Sequence, residues 1–215
     1  MNKILRIILA FLAILVGFYP SVYFFIDTKF GLLNSKPDEV LNNLFWNIGF
    51  YTHITAGGIA LLIGWMQFNE RLRTNKLNLH RQIGKVYVIS SLLSSLAAIN
   101  IAWYATGGVI ATAGFICLGI TWFYTTSRAY IEIKKKEIFE HQKKMIYSYA
   151  ACFSAVTLRL YLPLLAKIFN DFITAYLVVA WLCWIPNIVF AYFLVKRIRN
   201  QKKEVTVQGI AAMSD

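Results

Sequence analysis

Residues 45–68, FWNIGFYTHITAGGIALLIGWMQF, carry no Asp, Glu, Lys or Arg. At ~1.5 Å per helical residue, a run of this length covers the ~30 Å hydrocarbon thickness of a bilayer. A soluble domain would break such a stretch with charge, so residues 45–68 predict a membrane-spanning helix. Reading outward, five more apolar runs appear, near 4–26, 83–105, 109–131, 145–168 and 172–195. Each exceeds the ~20 residues that a spanning helix requires. The predicted fold is therefore all-α: a polytopic bundle of six transmembrane helices forming one domain over 1–204, with a flexible tail over 205–215. The first run opens like a signal peptide after Lys3 and Arg6. It is too long for one and lacks a small-x-small cleavage site, so it is read as a retained anchor.

Charge sets the orientation. The chain has 22 Lys and Arg against 10 Asp and Glu, a net charge of +12. Most of the basic residues fall in short blocks on one side: Lys3 and Arg6; Arg71, Arg73, Lys76, Arg81 and Lys85; Arg128, Lys134–136, Lys143 and Lys144; and Lys196, Arg197, Arg199, Lys202 and Lys203. The positive-inside rule then places both termini in the cytoplasm, with the basic edges in contact with anionic lipid. Charges confined to helix ends are topology determinants, which argues against nucleic-acid binding. Cys117, Cys152 and Cys183 sit in apolar runs without metal-ligand or dithiol spacing.

All ten acids read as loop or tail residues, so the bundle interior is expected to lack carboxylates. That speaks against a proton- or sodium-coupled pump, which commonly needs an anionic oxygen near the midplane. P-loop, nucleophile-elbow and HExxH patterns are likewise missing. What remains inside is His53, about 12 Å below the outer end of its helix at the helical rise, with Arg159 at a similar depth and Asn100 nearer the surface. An arginine there costs ~2.5–3.5 kcal/mol on insertion scales and should find an interior partner. Pro163 cannot donate to the Arg159 carbonyl, which adds polarity at the same place. Gly49, His53 and Gly57 recur every four residues. They read either as close helix packing or as a slot for a flat ligand.

A second level lies at the cytoplasmic edge, where each basic loop ends in a histidine just before a helix: His80-Arg81-x-x-Gly84-Lys85-x-Tyr87 and His141-x-Lys143-x-Met145-x-Tyr147. From His53 to the inner end of its helix is ~22 Å along the helix axis, so the three histidines cannot share one ion. His80 and His141 can meet if their helices are neighbours. They would then serve as axial ligands of a b-type haem, as a two-histidine metal site or as a proton-transfer pair, with Gln67, Arg81 and Arg128 at the level of propionates or phosphates. The bland alternative is two interfacial histidines among basic residues.

These motifs, together with Gly64-x-x-Gln67-Phe68, Met145-Ile146, Ser148-Tyr149 and Thr157-Leu158-Arg159, resemble a family of bacterial membrane proteins, domain of unknown function 2306. The likeness covers roughly 45–165. It implies a multi-helix membrane fold and marks the three histidines and Arg159 as motif positions. Two functions follow from the residues as expectations. One is a redox protein with haem b at His80 and His141 and a quinone or other small acceptor at His53, Asn100 and Arg159. The other is a small-molecule or lipid transporter or scaffold in which Arg159 holds an anionic group and Pro20, Pro163 and Pro186 kink their helices. A catalytic use of the histidines as acid and base has no specified substrate.

Overall fold

The computed structural model describes residues 3–25 and 31–211. Lys29, the opening of loop 27–44 and the last four residues of the tail lie outside the described residues. A bilayer core offers no partner for backbone N–H and C=O groups, so each apolar run closes its own hydrogen bonds as helix. The first span joins α1 (Lys3–Phe18) through a 3₁₀ turn at Tyr19–Ser21 to α2 (Val22–Phe25). The short α3 (Asp38–Leu41) leads into the second span, α4 (Leu44–Gly64), which ends in a 3₁₀ turn at Trp65–Phe68. A connector, α5 (Glu70–Asn75), precedes α6 (Leu77–Ala102) and α7 (Gly108–Lys134). The fifth span is α8 (Ile138–Cys152) with α9 (Ser154–Phe169), and the sixth is α10 (Phe172–Leu182) with α11 (Ile185–Ala211). Among the described residues, six helices or helix pairs are thus long and apolar enough to cross a membrane, as the runs predicted.

Local chemistry sets the ends. The side chain of Asn43 caps α4 by accepting from Trp46 N–H at 3.0 Å, and Asp171 caps α10 by accepting from Ile173 and Thr174 N–H. Hydrogen bonds from Thr174 hold the Asp171 carboxyl below the usual carboxylate range. The α6–α7 hairpin turns through Gly107 and Gly108, both left-handed (φ +95° and +70°), a conformation that costs a β-carbon-bearing residue energy. Lys36 ties the 31–35 turn to this hairpin by donating to the Tyr104 carbonyl and the Thr106 hydroxyl. Its burial pulls the ammonium down to about 8.

Polarity is arranged inside out. Phe11, Phe18, Ile89, Leu93, Leu96, Ile120, Phe190 and Phe193 face outward, while Ser91, Ser94, Ser95, Thr126 and Ser148 are fully buried. In water this would reverse the usual burial preference; in lipid it is what an apolar solvent requires. At the centre, α4, α6, α7 and α8 form a ring in which α4 packs on α6, α6 on α7, α7 on α8 and α8 on α4. The first span packs outside α4 and α9, and the sixth covers α7, α8 and α9.

Four expectations change. The helices of the third and fifth spans start about two turns earlier than their apolar runs, at Leu77 and Ile138. His80 and His141 therefore occupy first turns of helices, because long basic side chains can reach water while the backbone stays helical. The interior is not free of carboxylates: α7 runs on to Lys134, and Glu132 is buried, 2.5 Å from Arg128 one turn earlier. The charged pair neutralises itself along the helix. The kinks expected at Pro20 and Pro186 coincide with the 3₁₀ turn at Tyr19–Ser21 and with a break in the sixth span, whereas the one expected at Pro163 falls elsewhere. The fifth span breaks at Phe153, ten residues before Pro163, which lies within α9. The sixth breaks at Cys183–Trp184, just before Pro186, and there the Cys183 carbonyl accepts from Thr157 and Asn187 side chains. The backbone of residues 205–211, expected in the tail, continues α11.

Candidate functional site

α6 and α8 both begin at the basic end of the bundle and lie diagonally across the central ring. Their inner faces are joined where the Tyr87 hydroxyl meets Ser148 Oγ at 2.8 Å, and Ser148 in turn meets Thr126 Oγ1 of α7 at 2.7 Å. His80 and His141 each stand seven residues before this bridge. Seven residues are nearly two helical turns, so both histidines share the face of the bridge and sit at one height, ~10 Å nearer the basic end. His141 lies within electrostatic reach of His80. His141 Nδ1 donates to the Ala129 carbonyl at 2.8 Å, which fixes its tautomer and leaves Nε2 with a free lone pair. His80 Nδ1 is buried and has no hydrogen-bond partner.

The residues expected around the pair divide. Gln67 is buried against Gly84, one turn below His80, with its Nε2 unpartnered. Arg73 and Arg81 lie within electrostatic reach of His80. Arg128 instead spends one arm of its guanidinium on Glu132, while its Nε is buried without a partner. Neither of the two cavities described below borders the histidines, which are half-buried at the basic mouth of the bundle.

At the other level, His53 is half-buried and faces α6. Its Nδ1 lies 3.0 Å from both the carbonyl and the hydroxyl of Ser94, whose Oγ donates back to the His53 carbonyl at 2.9 Å. Of the two readings of the glycine row, packing is the one realised. A β-carbon on Gly49 would meet Ile101 at 2.8 Å, and one on Gly57 would meet Ser94 at 2.9 Å. Asn100 is exposed beside Gly49, a turn away from His53. The structure thus joins only two of the three expected residues: the Arg159 charge acts on the His53 ring. Arg159 finds its partner in an aromatic face. Its guanidinium carbon sits 4.7 Å from the centre of the Tyr19 ring, and Nη1 donates to Ala155 on its own helix at 2.9 Å, while Nε is buried and unpartnered. Nearby, Tyr23 packs edge-on against Phe50, which with Trp46 and Tyr51 lines a cavity of about 80 Å³. A second cavity of about 10 Å³ lies between Gln142, Ile146 and Val195.

Sequence reasoning missed Tyr19, Ser94 and Thr126, and named Ser148 only as a motif position. The seven-residue offset from each histidine to Tyr87 and Ser148 was readable. The pairing of Arg159 with Tyr19 was not, since it joins the first and fifth spans. Among the described residues, no three His, Cys, Asp or Glu side chains gather within reach of one metal ion.

No curated protein and no solved structure matches the chain. The model of the family described as predicted membrane protein (DUF2306) matches residues 50–195, which takes in His53, both basic-end histidines, Arg159 and the central ring from Phe50 of α4 onward. The chain belongs to that family of predicted membrane proteins.

Proposed function

We propose that this multi-pass protein is a membrane redox protein in which His80 and His141 hold the iron of a b-type haem. The observation that carries the reading is the pair itself: two imidazoles at one height on helices diagonal across the core, one with its tautomer fixed by a backbone carbonyl. A ligating histidine characteristically donates its second nitrogen in this way. The donor set suits the group, since His141 offers Nε2 and His80 keeps a buried nitrogen that no protein atom satisfies. A b-type haem supplies one-electron transfer when bound. His80 and His141 would ligate it, and Arg73 and Arg81 would face its propionates, Arg128 being engaged with Glu132. At the other level, the unpartnered Arg159 Nε beside His53 supports the docking of a quinone or a small anionic acceptor. The charge asymmetry supports a cytoplasmic basic end in a bacterial inner membrane.

Haem content per chain tests the reading. Protein purified from haem-supplemented cells is expected to carry close to one haem per chain, and His80→Ala and His141→Ala are each expected to lose nearly all of it. Colourless wild-type protein would overturn the proposal and leave the transporter reading, in which Arg159 alone holds an anionic ligand.

A further inference from the structure

The inner stripe of α6 is polar along most of its length. Its positions recur at the three–four spacing of a buried helix face, yet they read His80, Gly84, Tyr87, Ser91 and Ser94 where a core would ordinarily hold Leu or Val. Tyr87, Ser91 and Ser94 have no exposure at all. Each of the three faces further polar groups. Ser94 meets His53, and Tyr87 bonds Ser148, which bonds Thr126, which donates to the Trp122 carbonyl at 2.8 Å. Ser91 Oγ and Trp122 Nε1 lie beside the Tyr87 hydroxyl but outside hydrogen-bond geometry, and both are buried without a partner. Towards the basic end the row continues in Gln67, whose Nε2 is also unpartnered. Buried polar atoms seldom stay unsatisfied, and an internal water with two or three polar neighbours is their ordinary partner. At the opposite end, His53 lies one turn below Phe50 and two below Asn47, which line the larger cavity together with Asn42 and Tyr51.

We infer that this seam is a proton path through the bundle, running from the cavity at Asn47 and Phe50, through His53, Ser94, Ser91 and Tyr87 to Ser148 and Thr126, and out past Gln67 at the basic end. Imidazole, phenol and aliphatic hydroxyl can each both donate and accept a hydrogen bond. Along such a row each oxygen or nitrogen takes a proton on its lone pair and releases its own to the next, and the hydroxyls then turn back. One proton enters, one leaves, and no group is oxidised or reduced. From His80 to Ser94 the stripe covers ~21 Å of helix, most of the hydrocarbon thickness. No fixed charge stands in the middle of the row. The path requires no cofactor and stands whether or not His80 and His141 bind iron.

The test uses the full chain in vesicles loaded with a pH-sensitive dye, with an inward proton flux driven by a potassium diffusion potential. Wild-type vesicles should acidify several-fold faster than protein-free ones. Tyr87→Phe removes the central hydroxyl and should bring the rate down to the protein-free level. Ser94→Ala and Ser148→Ala each remove a single oxygen, and each should slow the flux at least threefold even if the Tyr87 variant does not fold. Ser95→Ala should keep the wild-type rate, because its hydroxyl bonds only the Leu92 carbonyl of its own helix. Wild-type flux equal to that of protein-free vesicles would overturn the inference, as would Ser94→Ala and Ser148→Ala variants that both conduct like wild type.

Discussion

Arg159 shows how one residue can hold a charge at depth without a carboxylate. The Tyr19 ring takes the guanidinium face, and the carbonyl of Ala155 takes one N–H. A desolvated cation–π contact contributes on the order of 1–2 kcal/mol. Tyr19→Leu is therefore expected to lower stability by about that much, read as a fall in thermal midpoint, while Tyr19→Phe should stay near wild type; equal losses in the two variants would mean that the ring face is not the partner. Lys36 gives a pH signature at the same scale. Its folded value of about 8 lies below the ordinary 10.5. Between those values the unfolded chain binds more protons than the folded one, so stability rises with pH across that window, and the destabilising charge is fully present below it. Thermal midpoints measured from pH 7 to 10 should climb more for wild type than for Lys36→Met; parallel curves would contradict the buried ammonium.

At the scale of elements, the glycines of α4 decide how closely the ring can draw together. A β-carbon on Gly64 would stand 2.5 Å from the Tyr149 ring and 2.8 Å from Tyr87. Both rings are pinned, one to the Leu61 carbonyl and the other to Ser148. Gly64→Ala is expected to cost about 1–3 kcal/mol by overpacking, measured as loss of folded, monodisperse protein on heating. Full retention of stability would show that α4 and α8 are free to part. These elements also show what the sequence made legible. The six runs, the heights of His53, His80 and His141 and the close approach at Gly57 all follow from spacing along one helix. Contacts between distant spans do not: nothing local foretells the break at Phe153, the Thr157 and Asn187 bonds that satisfy Cys183, or the seat of Arg159 on Tyr19. Asn100 shares the α4 face of His53 but stands a turn nearer the outer end, beside Gly49, because matching depths along separate helices is good only to about a turn. Glu132 was missed because hydropathy ended α7 before its last turn.

Across the whole molecule, polar groups gather at two levels joined by the α6 stripe, while lipid-facing surfaces are large and apolar. The basic blocks all lie at the end where α6, α8 and the histidine pair begin, so the proposed haem would face the side that the positive-inside rule makes cytoplasmic. Single cysteines introduced at Lys135 and at Glu39, both exposed, test that assignment. In intact cells an impermeant thiol reagent should modify the second and spare the first; the opposite labelling would invert the topology. The most direct measurement of all is the spectrum of the iron in the purified wild-type protein. Ligation by both His80 and His141 predicts a six-coordinate, low-spin, bis-imidazole signature that turns five-coordinate or vanishes in either single alanine variant. A protein without a haem absorption band, or with haem whose spectrum is unchanged by both substitutions, would contradict it.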